Sequence, residues 1–363
     1  MASPKTDDIP RLDVVDGWPA PEEQDRWLGD AAAETTLLDA YRSGRMHHAW
    51  LLGGPKGIGK ATLAYRFARF AFAHPDPASS EVAAAQDLSV PTDDRAFRQV
   101  ARRAHPNLLA LERPYRSDRK RFLTELSVDQ IRRTVSFFGT TGGGEGWRIA
   151  IIDPADDMNA NAANALLKVL EEPPDRALFF IICNTPGQLL PTIRSRCRML
   201  QIRPFAEDEI KDAIDTHKPD GFDRSDMSVA ATLSEGSLRQ AILVLDGGGL
   251  EVYRAFVSLV SGAPDIEPAA MHDLADRVSR RGADDAYTGF IDVVQGWLDR
   301  RVNRVAEPER GEHNPALDAV PLARWAEVWE KTERAVAEAE ALNLDRKQVA
   351  LSILMSIAHA ARM

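Results

Sequence analysis

The chain has 363 residues, of which 44% are hydrophobic and 28% charged, and its formal net charge at pH 7 is −10. This length predicts two or three domains, and the composition is that of a soluble globular protein. No apolar run is long enough to cross a membrane, so we expect no membrane partner and a cytoplasmic location. The negative charge argues against tight DNA binding by this chain alone. Two cysteines and eight scattered histidines give no zinc spacing, so free thiols and no bound metal are expected.

The first part of the chain alternates predicted strands and helices. Buried strands are predicted at residues 49–52, 108–111, 148–152 and 177–183 from short, nearly continuous apolar runs. Residues 75–94 are rich in Ala, Ser, Pro and Asp, which indicates an exposed loop or insertion. This alternation predicts a doubly wound parallel sheet that binds ligands at the carboxyl ends of its strands.

After residue 204 the predicted strands stop and the pattern becomes helical. Short helices are predicted at residues 207–216, 225–233 and 238–246, and Gly247 to Gly249 read as a linker. Beyond it, residues 324–342 carry Trp325, Trp329 and Val336 on one stripe, and residues 346–361 repeat apolar side chains at i, i+4 spacing. We therefore expect three domains: an α/β domain over 1–206, with 1–20 a flexible segment, a small helical domain over 207–247, and an all-α domain over 248–363 that mediates oligomerisation.

Residues 54–61 form a phosphate-binding loop up to its last position. Gly54, Gly57 and Gly59 allow the backbone N–H groups to point at phosphate oxygens, and Lys60 would reach the outer phosphates. The Ser or Thr that normally ligates Mg²⁺ comes next, but here the residue is Ala61. Thr62 is one residue further and about 100° around the helix, so its hydroxyl should point elsewhere, although we include it in a degenerate nucleotide site.

A second defect follows the predicted strand at residues 148–152. Asp153 ends that strand, where a residue that supports the metal would lie. The next residue would be the carboxylate that orients the attacking water, but it is Pro154, which has no acid group. Asp156 is expected to cap a helix before Met158 rather than replace the missing base.

Several further motifs resemble the clamp-loader branch of the AAA+ ATPases, which implies a P-loop AAA+ domain, a helical lid and an all-α collar-like domain. The resemblance is carried by residues 54–60, 151–158, 161–174, 192–197 and 236–239. Most specific are the Ala-Asn-Ala-Leu-Leu-Lys and Leu-Glu-Glu-Pro-Pro runs of one helix and the Ser-Arg-Cys triplet at residues 195–197. Within this branch the chain resembles the delta-prime subunits of bacterial DNA polymerase III. Those subunits carry a four-cysteine zinc module that the stretch after Ala73 lacks.

The resemblance also implies roles for single residues. Arg196 of the Ser-Arg-Cys triplet would be an arginine finger that reaches an ATP bound to a neighbouring subunit, where its planar, permanently charged guanidinium would stabilise phosphate charge. Asn184 corresponds to the first sensor of the nucleotide and Arg239 to the second. The alternative is that Arg194, Arg196 and Arg198 form a solvated basic strand edge.

Three functions compete at this point. The leading hypothesis is a scaffold subunit with no intrinsic hydrolysis, weak binding of ATP or ADP at most, and Arg196 acting in trans. Its partners would be ATPase motor subunits, a clamp-opening subunit, the sliding clamp and, through the assembled complex, primer-template DNA. The second hypothesis is an active motor-type ATPase subunit, and the third is a metabolic P-loop kinase, against which the Ser-Arg-Cys triplet speaks.

Overall fold

The computed structural model describes residues 11, 14, 15, 17–117, 121–139, 146–218, 221–246, 248–280, 284–303, 314–342 and 344–362. The chain divides into two compact units, Met1–Phe205 and Ala206–Met363. The further boundary expected near residue 247 stays a prediction. No helix within these described ranges is long and apolar enough to cross a membrane.

The first unit is built on a five-stranded parallel sheet. Its strands are β1 Ala49–Gly53, β2 Leu108–Leu111, β5 Arg148–Ile152, β6 Ala177–Cys183 and β7 Arg198–Gln201. They lie in the order β2-β5-β6-β1-β7, and a small antiparallel hairpin, β3 Tyr115–Arg116 and β4 Arg121–Phe122, stands apart. The four predicted strands are found, whereas the edge strand β7 was not among them. The α/β fold class is confirmed.

Helices cover both faces of this sheet because its central strands are apolar on both sides. All seven residues of β6 are buried. Within β6, the successive residues Phe179 and Phe180 point to opposite faces of the sheet. The Phe179 ring contacts Phe138 at a centroid distance of 4.8 Å, and the Phe180 ring contacts Phe67 at 5.3 Å. The helices of this unit are α1 Ala31–Arg42, α2 Lys60–Ala73, α3 Ser80–Ala84, α4 Arg95–Ala101, α5 Val128–Gly139, α6 Ala160–Glu171 and α7 Pro191–Arg194.

Two segments of this unit that were predicted to be flexible or exposed contain buried residues. Residues 1–10 of the expected flexible segment lie outside the described residues, but Trp18 and Ala20 at its end are buried. The stretch at 75–94 is not merely an exposed loop, because it contains α3 and buries Val82 and Leu88 completely. Among the described residues, no group of three or more His, Cys, Asp or Glu is placed to hold a metal.

Buried ion pairing fastens this 75–94 insertion to α1 and α2. The Glu34 carboxylate accepts from the Arg66 guanidinium at 2.6 Å and from the backbone N–H of Leu88 at 3.0 Å. Arg42 donates to the carbonyl oxygens of Val82 and Ala85. The side chains of Arg66 and Glu34 are only 5% and 10% exposed, so each depends on the other to compensate its desolvation.

The described part of the second unit is helical throughout and contains no strand. Its helices are α8 Glu207–His217, α9 Arg224–Leu233, α10 Leu238–Asp246, α11 Gly249–Val260, α12 Pro268–Val278, α13 Asp284–Asn303, α14 Pro315–Asp318, α15 Leu322–Leu342 and α16 Arg346–Ala361. Trp297 and Trp325 meet edge-to-face in its core, with ring centroids 5.3 Å apart.

The predicted glycine linker is a tight turn instead. Gly247 lies outside the described residues, Gly248 has a φ of +74°, and Gly249 already begins α11. A Cβ on Gly249 would lie 2.8 Å from the Cα of Val244, so glycine is needed for the close approach of α10 and α11. The helical stripes were read partly correctly: Trp325, Val349 and Ile353 are buried, whereas Trp329 and Val336 are only partly so.

We expect Glu34→Gln to lower the free energy of unfolding by about 3 kcal/mol, because it leaves the buried Arg66 guanidinium with only the more distant, half-exposed Asp87 carboxylate as its counter-charge. Asp39→Asn on the same helix is the control, since its pair with Arg42 is exposed and should cost less than about 0.5 kcal/mol. Urea unfolding of both variants measures the difference. Equal midpoints for the two would contradict a structural role for the Glu34 pair.

Candidate phosphate-loop site

The glycines of the phosphate loop adopt the backbone angles that the sequence predicted them to need. The loop follows β1 and ends where α2 begins, and Gly54, Gly57 and Gly59 have φ values of +144°, +81° and +86°. A Cβ on Gly54 would lie 2.6 Å from the carbonyl oxygen of Ile202, so no larger residue fits there without movement of the backbone. The loop thus has the glycine angles that a phosphate cradle at a helix N-terminus requires.

Lys60 lies inside this cradle and is 4% exposed. Its Nζ donates to the carbonyl oxygens of Gly54 and Pro55 at 2.6 and 2.5 Å and to Oδ1 of Asn184 at 2.9 Å. The structure thus brings together two predicted site residues from different parts of the chain, the loop lysine and Asn184, whose role as first sensor stays a prediction.

Burial lowers the pKa of the Lys60 ammonium to about 8. The dominant cause is desolvation, which disfavours the charged form, while the nearby carboxylates of Asp153 and Asp156 partly offset it. Lys60 is therefore charged at neutral pH but loses its proton within the mildly alkaline range.

The acid that organises this edge of the sheet is Asp156. Its Oδ2 accepts from the backbone N–H of Asn184 at 2.7 Å, and its Oδ1 accepts from the backbone N–H of Thr185 at 2.8 Å and from the Cys183 thiol at 3.2 Å. The expectation that Asp156 caps a helix was wrong, because Asn159 caps α6. Asp156 sits in a single 3-10 turn, from which its carboxylate reaches the end of β6.

Asp153 and Pro154 lie where the sequence placed them, after β5. The backbone N–H of Asp153 donates to the Leu111 carbonyl oxygen at 2.9 Å, which extends the pairing with β2, and Pro154 is buried. Thr62 is in the first turn of α2 and half-buried, and it is not among the groups that contact the Lys60 ammonium.

Sequence reasoning missed Trp27, which lies beside the loop. A Cβ on Gly59 would come within 3.1 Å of the Trp27 ring, so the indole rests against the last glycine of the loop. The indole N–H donates to the Asp30 carbonyl oxygen at 3.1 Å. No local pattern could have indicated this contact, because the two residues are 32 positions apart.

The two remaining predicted residues lie away from the loop or in the other unit. Arg196 follows α7 and donates to the Thr192 carbonyl oxygen at 3.0 Å and to Glu171 at 2.8 Å. Arg239 is in the second unit, where it lines a small cavity between α10, α11 and α13 with Gln240 and Asp292. Its assignment as a second sensor stays a prediction.

Comparisons with known proteins fit this architecture. The family model described as "DNA polymerase III, delta subunit" matches residues 29–206, which span the sheet and the loop. Over these residues, just under half of its length, the chain is similar to the DNA polymerase III delta-subunit family. This match, together with the relatives below, confirms the resemblance to delta-prime-type clamp-loader subunits.

Two similar proteins are named DNA polymerase III subunit delta-prime. The one from Pseudomonas aeruginosa is 37% identical over 150 residues, covering 41% of each chain, and the one from Bacillus subtilis is 31% identical over 179 residues, covering 49% of each. A DNA polymerase III subunit gamma from Buchnera aphidicola is 24% identical over 231 residues, 62% of this chain and 58% of that one. The chain thus spans between about two fifths and three fifths of the length of these relatives.

The residues of the loop fit a nucleotide phosphate better than they fit a magnesium complex. The cradle is closed by glycines and holds one ammonium, which suits phosphate oxygens. The positions that would supply the metal-ligating hydroxyl and the catalytic base are Ala61 and Pro154. A bound phosphate would exchange with the carbonyl contacts of Lys60, because the ammonium has only three donors.

We expect the affinity of the loop for ADP to fall as the pH rises above about 8, because the ammonium of Lys60 is then lost. The dissociation constant should increase by roughly tenfold per pH unit above that value if only the protonated lysine binds. Isothermal titration calorimetry between pH 7 and 10 measures it. Lys60→Arg is the control and should flatten the profile, because a guanidinium keeps its charge; a flat wild-type profile would contradict the assignment.

Proposed function

We propose that this chain is a largely non-hydrolysing clamp-loader subunit that supplies Arg196 to an ATP site on a neighbouring subunit and thereby helps load the sliding clamp on primed DNA. The observation that carries the proposal is that the exposed Arg196 side chain lies between two residues that pack into the protein. Ile193 is fully buried and Cys197 packs against the core of the sheet unit, whereas the Arg196 side chain between them is 35% exposed.

An exposed side chain between two packed residues suits a role on another chain. The two anchored neighbours fix the backbone at Arg196, so the base of its side chain is rigid. Burial raises the pKa of the Cys197 thiol to about 12, so this cysteine is a packing residue rather than a nucleophile. Because the side chain is partly exposed, its guanidinium can reach solvent and a docked partner. The planar fork of the guanidinium suits a phosphate on that partner.

The defects in the loop support the absence of intrinsic turnover. Without the hydroxyl at position 61, Mg²⁺ loses a protein ligand, and Pro154 cannot orient or deprotonate water. Lys60 and the loop amides would still hold ATP or ADP weakly. The chemistry would then belong to the assembled complex, and this subunit would contribute structure and one charge.

The partners follow from the same proposal. They are ATPase motor subunits, a clamp-opening subunit, the sliding clamp and, through the complex, primer-template DNA, in the cytoplasm. Similarity to proteins named as DNA polymerase III subunits supports the clamp-loader context. The net charge of −10 supports DNA contact through the complex rather than through this chain alone.

One observation favours a second candidate, an active motor-type ATPase. The relative named subunit gamma covers a larger share of this chain, 62%, than the delta-prime relatives do. This alternative requires Mg²⁺ ligation without the loop hydroxyl and a base other than residue 154. Magnesium-dependent turnover by the purified chain separates the two candidates.

The purified chain should show negligible hydrolysis of MgATP. Loss of a positioned base alone lowers rates by about 10²–10⁴-fold, and the missing metal ligand adds to that. A coupled phosphate-release assay measures the rate, with Lys60→Ala as the control for contaminating activity. Turnover that Lys60→Ala abolishes would favour the motor-type alternative.

Arg196→Ala should lower clamp-stimulated ATP hydrolysis by the reconstituted loader while leaving its assembly and the melting temperature of this chain unchanged. Arginine fingers supplied in trans contribute about 10³–10⁵-fold at a single site, and less is expected when several sites share the work. Arg196→Lys should rescue poorly, because an ammonium cannot present a bidentate fork.

Arg194→Ala is the matched control, since it removes the same charge two residues away at the end of α7. It should have little effect on hydrolysis. If Arg196→Ala leaves hydrolysis and clamp loading at the wild-type rate, the solvated-edge interpretation of these arginines holds instead.

A further inference from the structure

The guanidinium of Arg196 is already engaged within its own chain. Nη2 contacts a carboxylate oxygen of Glu171 at 2.8 Å, and Nη1 donates to the Thr192 carbonyl oxygen at 3.0 Å. The pair lies at the surface, because the side chains of Arg196 and Glu171 are 35% and 50% exposed. Both terminal nitrogens, which are the ones that form an end-on fork with phosphate, thus have acceptors inside the subunit.

Glu171 lies at a helix end that is held to the start of the central sheet. It is the last residue of α6, whose preceding carbonyl, that of Leu170, contacts Nε2 of His48 at 3.1 Å at the start of β1. The C-terminal end of a helix carries partial negative charge and adds to the attraction for a cation. Glu171 and the end of α6 therefore form a negative site against which Arg196 rests.

A carboxylate and a phosphate compete for the same donors and for the same positive charge. While Glu171 remains 2.8 Å from the guanidinium, it cancels much of the field that a neighbouring phosphate would feel. An anion of higher charge can replace it, because a guanidinium binds carboxylate and phosphate through the same planar fork.

We propose that Glu171 holds Arg196 in a stowed position, in which the guanidinium is bound to Glu171 and Thr192 of its own chain. The terminal phosphate of a nucleotide on the neighbouring subunit displaces Glu171 when the finger binds that phosphate. This inference rests on the proposed function of Arg196 and adds a positioning residue to it. Glu171 lowers the fraction of molecules in which Arg196 is free to bind phosphate. It therefore sets the nucleotide concentration at which Arg196 joins the neighbouring site.

The expected effect is modest because the pair is solvent-exposed. Pairs of this kind shift an equilibrium by roughly 1.5-fold to 5-fold, and apparent affinity is reduced in proportion to the fraction of the competent state. Removing the carboxylate should therefore lower the KM for ATP by about 1.5-fold to fivefold. The value of kcat should stay unchanged, since at saturating ATP the finger is engaged in both proteins.

The experiment measures clamp-stimulated ATP hydrolysis by the reconstituted loader that contains Glu171→Gln. Glu172→Gln is the matched control, because it removes the same charge from the adjacent exposed residue, which has no ion pair with Arg196. We expect Glu171→Gln to lower KM relative to both wild type and Glu172→Gln. Added salt should reduce this difference by screening the pair.

Three results would overturn the inference: an equal KM for the two variants, a fall in kcat with Glu171→Gln, which would mean that Glu171 orients the finger, or a KM difference that salt leaves unchanged. The same assay with Arg196→Ala separates this inference from the proposed function. If Arg196→Ala has no effect, the assignment of Arg196 as an arginine finger is wrong. If Arg196→Ala lowers the rate but Glu171→Gln behaves like its control, only the role given to Glu171 is wrong. In the Arg196→Ala background, Glu171→Gln should have no further effect.

Discussion

The hydrogen bonds of the buried Lys60 ammonium hold the functional edge of the sheet together. They join the phosphate loop after β1 to Asn184 at the end of β6, and Asp156, after β5, holds the backbone of that same β6 end. Three loops that leave neighbouring strands are thereby one hydrogen-bonded unit. Because the protein's own oxygens already accept from all three donors of the ammonium, a phosphate that enters must displace some of these contacts.

The sequence predicted those parts of the fold that are written locally. Strands buried on both faces are continuous apolar runs, so β1, β2, β5 and β6 could be placed almost to the residue, and the loop glycines indicate their own backbone angles. β7 escaped notice because an exposed edge strand mixes polar and apolar residues. The segment at Gly248 and Gly249 was predicted to be a linker because composition cannot distinguish a flexible glycine from one required by the close approach of two helices.

The site was predictable only where each residue belongs to a motif. Lys60, Asp153 and Asn184 each follow a strand, and parallel strands bring their carboxyl ends to one edge. The contacts of Asp156 with residues 184 and 185, of Trp27 with Gly59 and of Glu171 with Arg196 join segments at least 25 positions apart. Such contacts depend on how the helices pack on the sheet, which no periodicity in one sequence records.

The two cations that matter most here differ in a way that matches their proposed roles. Lys60 is 4% exposed, and oxygens of its own loop and sheet edge accept from its ammonium, so its charge is confined to its own site. The Arg196 side chain is 35% exposed, and its ion pair with Glu171 is of the weak kind that salt screens. A charge that must act on another chain has to remain exchangeable, and an exposed carboxylate provides that because it holds the guanidinium without the desolvation cost that makes a buried pair hard to break.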